Sequence, residues 1–184
     1  KKGGEGAPLT PIFHQLIVKK LKLDLPVCIL NIGGISNLTI ISETKEKKNL
    51  LSRDLGPGNC LIDTWVRKNS KYKYDKDGSL ASAGKRNEII FEQAQELFAN
   101  IANKNMLSFD TNDFDVSFAR GLSLEDGAAT LTDFTAGVIG GALISLLSNA
   151  SAKHWTVLVC GGGRKNNLLI EKIKKNTLKN IVLQ

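Results

Sequence analysis

The chain has 184 residues, a net charge of +7 and 42% hydrophobic residues. That length predicts one domain or two small lobes, and that apolar share supports a packed core and excludes an intrinsically disordered chain. The lysines are scattered (Lys19, Lys45, Lys172, Lys175) with no basic-and-aromatic stripe, so the charge reads as solvated faces and not as a nucleic-acid surface.

In chain order, Lys1 to Pro8 is a glycine-rich run without an initiator Met, and with the apolar close at Ile181–Gln184 it predicts a piece of a longer protein. Ile12 to Lys20 has helical spacing, with Phe13, Leu16, Ile17 and Lys20 on one face and Pro8 and Pro11 at its start. Val27 to Asn31 is a continuous apolar run, so a buried strand. Gly33–Gly34 bends the chain into a return strand, Ile35 to Ile41, with Leu38 and Ile40 on one face and Thr39 and Ile41 on the other. Glu43 to Asn49 is a charged loop. Leu50 to Asp54 is a short strand leading into a loop, Gly56–Asn59, where Asn59 is placed to cap a helix running to Lys68. Asn69 to Gly84 reads as a polar loop.

Asn87 is placed to cap a helix to Asn103, with Ile90, Phe91, Ala94, Leu97, Phe98 and Ile101 inward. Met106 to Gly121 is a linker. Ser123 with Glu125 and Asp126 forms an N-terminal cap and an acidic first turn for a helix to about Leu147. The tract Ala136–Leu147 is too short to span a bilayer, and Gly137, Gly140 and Gly141 predict close packing of a buried helix. Thr156 to Cys160 is a strand, Asn166 to Lys175 a helix and Asn180 to Leu183 a strand. The alternation predicts an α/β fold with a hairpin at the front.

Cys28, Cys60 and Cys160 are odd in number and far apart, which predicts reduced thiols in a cytoplasmic protein and no disulfide framework. His14 and His154 lack partners at ligand spacing, so no metal site is expected. Asp75–Lys76–Asp77–Gly78 opens like a calcium loop, but Arg86 stands where the twelfth-position glutamate belongs. Ser36 and Ser108 have no histidine arranged for a nucleophilic triad.

Two glycine turns carry the chemistry. Asn31–Ile32–Gly33–Gly34–Ile35–Ser36–Asn37 bends between two strands, where backbone N–H groups reach a phosphate without an intervening side chain. Cys160–Gly161–Gly162–Gly163 leaves a strand for a helix beginning near Asn166, whose free N–H groups suit a nucleotide. Either turn is also explained as a plain turn packing neighbouring elements. Two such turns at strand ends can face one cleft. Asp54–Leu55–Gly56–Pro57–Gly58–Asn59 with Asp63 suits a polar, hydroxyl-rich ligand, or simple helix capping.

These segments, together with Gly3–Gly4–Glu5–Gly6–Ala7–Pro8–Leu9, Tyr74–Gly78, Ala81, Gly84 and Ala129–Thr132, resemble in order the anhydro-N-acetylmuramic acid kinases. The resemblance implies a ribonuclease H-like fold of the actin, hexokinase and Hsp70 type, this chain carrying mainly the second of two lobes. It implies ATP with Mg2+ as cofactors and anhydro-N-acetylmuramic acid as the acceptor. The sugar is phosphorylated while water opens its anhydro bridge, giving N-acetylmuramic acid 6-phosphate in cytoplasmic peptidoglycan recycling.

Carried over by position, Asn31, Gly33, Gly34, Asn37, Gly161, Gly162, Gly163 and Asn166 bind the nucleotide. Gly4, Glu5, Gly6, Gly56, Pro57, Gly58, Asn59 and Asp63 line the sugar side. The resemblance places the first phosphate loop and the general-base aspartate ahead of Lys1, so this chain alone is expected to be inactive. The family pattern has glutamine at the position of Glu5 and alanine at that of Arg164; Glu5 repels phosphate and Arg164 attracts it. Expected partners are a homodimer mate or a first lobe outside this chain, with no nucleic acid and no membrane. The other reading is a non-catalytic nucleotide- or sugar-binding module.

Overall fold

The computed structural model describes residues 9–42, 50–102, 108–148 and 154–184. The elements in order are α1 (Leu9–Leu21), β1 (Val27–Ile32), β2 (Ile35–Ile41), β3 (Leu50–Pro57), α2 (Cys60–Asn69), α3 (Ser79–Ala83), α4 (Glu88–Ala102), α5 (Leu124–Leu147), β4 (Trp155–Cys160), α6 (Asn167–Lys175) and β5 (Ile181–Leu183). The five strands form one sheet in the order β3-β2-β1-β4-β5. Strand β2 runs antiparallel to β1 and β3, while β4 is parallel to β1 and β5 parallel to β4. One reversed strand in that order is the ribonuclease H-like arrangement, as expected.

The alternation within β1 and β2 divides the core. Val27, Ile29 and Ile41 turn to one face and meet Val18 of α1. Cys28, Leu30, Ile32 and Leu38 turn to the other and meet Ile139, Leu143 and Leu147 of α5 and Leu169 and Ile173 of α6. Each fully buried Leu or Ile contributes about 1.5–3 kcal/mol, so the α5–α6 face, with the longer roster of such residues, dominates the stabilisation. By length and composition α5 is the one helix among the described residues that could cross a membrane, but its apolar side chains pack on the sheet. A second cluster joins α2, α4 and α5 through Leu61, Trp65, Ala94, Leu131 and Phe134. There the Trp65 indole Nε1–H donates to the Leu124 carbonyl at 2.9 Å, and Gly127 leaves the space its ring occupies.

Several elements differ from expectation. Helix α1 buries His14 and Val18, whereas Phe13 and Leu16 are each 59% exposed. The reason is polar: the His14 Nδ1 is hydrogen-bonded to the Thr39 hydroxyl at 2.9 Å, a pairing that rotates the helix away from its apolar stripe. Strand β3 continues through Gly56 and Pro57, where a bulge after Ser36 keeps the pairing. The expected loop over 69–84 contains α3, because both oxygens of Asp75 accept from its first turn, Leu80 N–H at 2.8 Å and Ala81 N–H at 3.0 Å. Leu97, expected inward, is 49% exposed. The caps at Asn87 and Ser123 form as expected, accepting from Ile90 N–H at 3.1 Å and Asp126 N–H at 3.0 Å. The Glu43–Asn49 loop lies outside the described residues.

Candidate functional site

Parallel strands β1 and β4 are in register from Val27 opposite Thr156 to Asn31 opposite Cys160. Their carboxyl ends therefore stop side by side, and the chain leaves each through a glycine turn. Ligands of open α/β sheets bind at such strand ends. The turns touch. Gly161 has φ of +81°, and a Cβ there would lie 2.5 Å from the Ile32 carbonyl oxygen and 2.6 Å from Asn31 Oδ1. A Cβ on Gly163 would run into the Ile32 side chain. Glycine is required at both positions by close approach of the first turn. Asn31 stands between the two turns, with the Cys160 thiol 3.7 Å from its Oδ1.

The first turn is held from behind. Gly58 N–H donates to Gly34 O at 2.8 Å, Asn59 N–H to Gly33 O at 2.8 Å and Cys60 N–H to Gly34 O at 3.1 Å. The Asn59 side-chain amide adds bonds to Gly33 O at 3.1 Å and Ile32 O at 3.4 Å. Asn59 occupies the N-cap position of α2 but makes no side-chain cap bond, which corrects its expected role. With the turn's carbonyls tied inward, the Gly34 N–H has no acceptor among the described residues. Gly162 and Gly163 open a 3-10 turn, Gly162–Lys165, at positions whose N–H groups find no partner within the turn.

A cavity of about 310 Å3 lies beside the turns, lined mainly by residues with polar side chains: Asn59, Ile62, Asp63, Tyr74, Asp75, Asp77, Gly162, Lys165 and Asn166. Tyr74, Asp75 and Asp77 line it from the segment that leads into α3. Asp77, in the left-handed region at φ of 59°, accepts from Asn167 N–H at 3.1 Å. Asn166 accepts from Leu169 N–H at 3.0 Å. The first turn of α6 is thus capped by these side chains, which corrects the expectation that its N–H groups are free for a ligand. Arg164 donates to the Gly161 carbonyl at 3.1 Å and so braces the second turn. Lys165 makes no ion pair among the described residues.

Burial pushes the Asp63 carboxyl above its ordinary value, the Arg67 guanidinium at 3.9 Å pulls it down, and Asp75 raises it again. Burial also raises the three thiols, Cys28 to about 12 and Cys60 to about 11, so neither of those two is a nucleophile near neutral pH.

Asn31, Gly33, Gly34, Gly161, Gly162 and Gly163 come together at the strand ends, and Asn59, Asp63 and Asn166 border the adjoining cavity. Asn37 stands across from Asn31 on β2, and Asp54 stands across from Asn37 on β3. Asp54 accepts from Ser108 Oγ at 3.2 Å and Phe109 N–H at 3.0 Å. Gly56, Pro57 and Gly58 are buried behind the first turn; a Cβ on Gly56 would stand 2.9 Å from Phe98 and Val138. Gly4, Glu5 and Gly6 lie outside the described residues. Tyr74, Asp75, Asp77 and Lys165 are lining residues that sequence reasoning did not assign to the site. The Asp–Lys–Asp–Gly pattern was the available signal, since its two carboxylates serve two helix starts that only the tertiary fold brings together. Among the described residues no three His, Cys, Asp or Glu side chains gather to hold a metal. An apolar cavity of about 260 Å3 between α2, α4 and α5, walled by Phe98, Phe114, Phe118 and Phe134, lacks donors suited to phosphate.

Among solved structures, the activator of 2-hydroxyisocaproyl-CoA dehydratase from Clostridium difficile with bound ADPNP superposes on 88% of this chain and 55% of its own, with a TM-score of 0.51 and 14% identity, a likeness of fold. Curated relatives include the anhydro-N-acetylmuramic acid kinase of Pelagibacter ubique, 48% identical over 99% of this chain and 48% of its own length. That of Zymomonas mobilis is 37% identical over 96% of this chain and 46% of its own. The chain spans about half the length of these relatives. The family model "Anhydro-N-acetylmuramic acid kinase" matches residues 1–184 throughout, and with the sheet order and paired glycine turns already in place, the chain belongs to the anhydro-N-acetylmuramic acid kinase family.

Proposed function

We propose that this chain is the nucleotide-holding, second-lobe part of a cytoplasmic kinase that acts on anhydro-N-acetylmuramic acid in peptidoglycan recycling. The observation that carries the reading is the contact between the Ile32–Gly34 and Gly161–Gly163 turns at the ends of two parallel strands. Phosphoryl transfer depends on positioning and on charge stabilisation, and backbone N–H groups fixed at two adjacent turns supply both. The Asn59 amide and the three backbone donors around it hold the first turn's carbonyls away from the phosphates. Asn31 spaces the first turn from the second.

Asp75 and Asp77 are occupied with backbone N–H groups, so the chain's own donors suit a metal carried mainly by phosphate oxygens. Mg2+ bound with ATP would neutralise charge on the β- and γ-phosphates. In the overall reaction the oxygen of water bonds to C1 of the sugar, the C1–O6 bond breaks, and O6 takes the γ-phosphoryl group as ADP leaves. The water's proton passes to a base.

The test is incubation of the full-length protein that carries this chain with ATP, Mg2+ and anhydro-N-acetylmuramic acid in 18O-labelled water. The reading predicts N-acetylmuramic acid 6-phosphate bearing one label at C1, formed one-to-one with ADP. Absence of both products would reject it.

A further inference from the structure

The cavity beside the glycine turns is lined by side chains of both charges. Gly162 and Lys165 of the second turn line it, and Lys165 makes no ion pair among the described residues. Three carboxylates line it as well, but they are not equivalent. Asp75 accepts from Leu80 and Ala81 N–H, and Asp77 from Asn167 N–H. Asp63 accepts no hydrogen bond among the described residues and meets only the Arg67 guanidinium, at 3.9 Å. Its side chain is 29% exposed, and burial with the nearby Asp75 charge disfavours leaving it unsolvated and unpaired.

Its place along α2 decides what it meets. Asn59 holds the phosphate-side turn, and Asp63 follows four residues later. At 1.5 Å rise per residue it stands ~6 Å further along the helix, and both residues line the cavity. That spacing suits a sugar ring following a phosphate held at the first turn, and the exposed Tyr74 lines the same cavity. A carboxylate with an uncommitted face is an acceptor for two vicinal hydroxyls.

We infer that Asp63 accepts the ribose hydroxyls of the bound nucleotide, so that it determines specificity on the nucleoside side of the site and does not belong to the acceptor-sugar side. This rests on the nucleotide reading above. The test measures equilibrium binding of ATP and of 2′,3′-dideoxy-ATP, each with Mg2+, to the full-length protein and to its Asp63→Asn variant by calorimetry.

The unaltered protein should bind ATP about tenfold more tightly than the dideoxy nucleotide, since hydrogen bonds to a charged acceptor carry that weight. Asp63→Asn should weaken ATP toward the dideoxy value and leave dideoxy-ATP unchanged. Equal affinity of the unaltered protein for the two nucleotides would overturn the inference without any variant. So would an Asp63→Asn protein that keeps the preference. Either result would leave the nucleotide reading standing, whereas failure of both nucleotides to bind would remove that reading and the inference together.

Discussion

Exchanging Asn59 for aspartate separates two accounts of one residue. Asn and Asp are equally good N-caps, and the helix dipole favours the acid by about 0.3–1 kcal/mol. If Asn59 merely capped α2, Asn59→Asp would be neutral or stabilising. The structure gives the side chain a different task, as donor to Gly33 O at 3.1 Å and Ile32 O at 3.4 Å. Asn59→Ala loses these two bonds and should cost about 1–2 kcal/mol. Asn59→Asp loses the same donor and sets a negative oxygen against two half-buried carbonyl dipoles, so the cost should rise to about 2–4 kcal/mol. Urea unfolding followed by circular dichroism reads both variants on one scale. The expected order of stability is native, then alanine, then aspartate. An aspartate variant as stable as the native protein would refute the clamp and restore the cap.

Neighbouring glycines of α5 should respond with opposite sign: Gly141→Ala meets open space and should stabilise by about 0.5–1 kcal/mol, whereas Gly140→Ala meets Asn176 at 2.6 Å and should destabilise, as thermal melts will show. Asp75→Ala strands two N–H groups at the start of α3 and should cost about 2–4 kcal/mol in urea unfolding, with Asp75→Asn falling between. Burial holds the His14 imidazole below the ordinary 6.5, so the unfolded chain takes up the proton first as pH falls. Stability from this group is therefore complete above 6.5 and lost as pH falls through that value toward the folded-state midpoint; an NMR titration placing His14 at or above 6.5 would contradict this.

What could be read from the chain was local. The β2 strand, its two faces and the caps at Asn87 and Ser123 follow from alternation and from side chains that bond within three residues. The pattern failed where a distant partner decides. Phe13 and Leu16 form the apolar stripe of α1, yet the bond between His14 and Thr39, 25 residues apart, sets which side faces the sheet. Asn59 looks like a cap because its true acceptors lie 26 and 27 residues upstream. Asp77 looks like a loop residue because the N–H it accepts from lies 90 residues on. The glycine turns were visible as turns, while their contact depends on the parallel register of β1 and β4, which no local pattern encodes.

That contact is the centre of the account: one nucleotide should engage both turns at once. The direct measurement is the backbone amide NMR spectrum of the full-length protein during titration with Mg2+ and a non-hydrolysable ATP analogue. The amides of Gly34, Gly162 and Gly163 should shift together with a single dissociation constant. Saturation that moves one turn and leaves the other unshifted would contradict it.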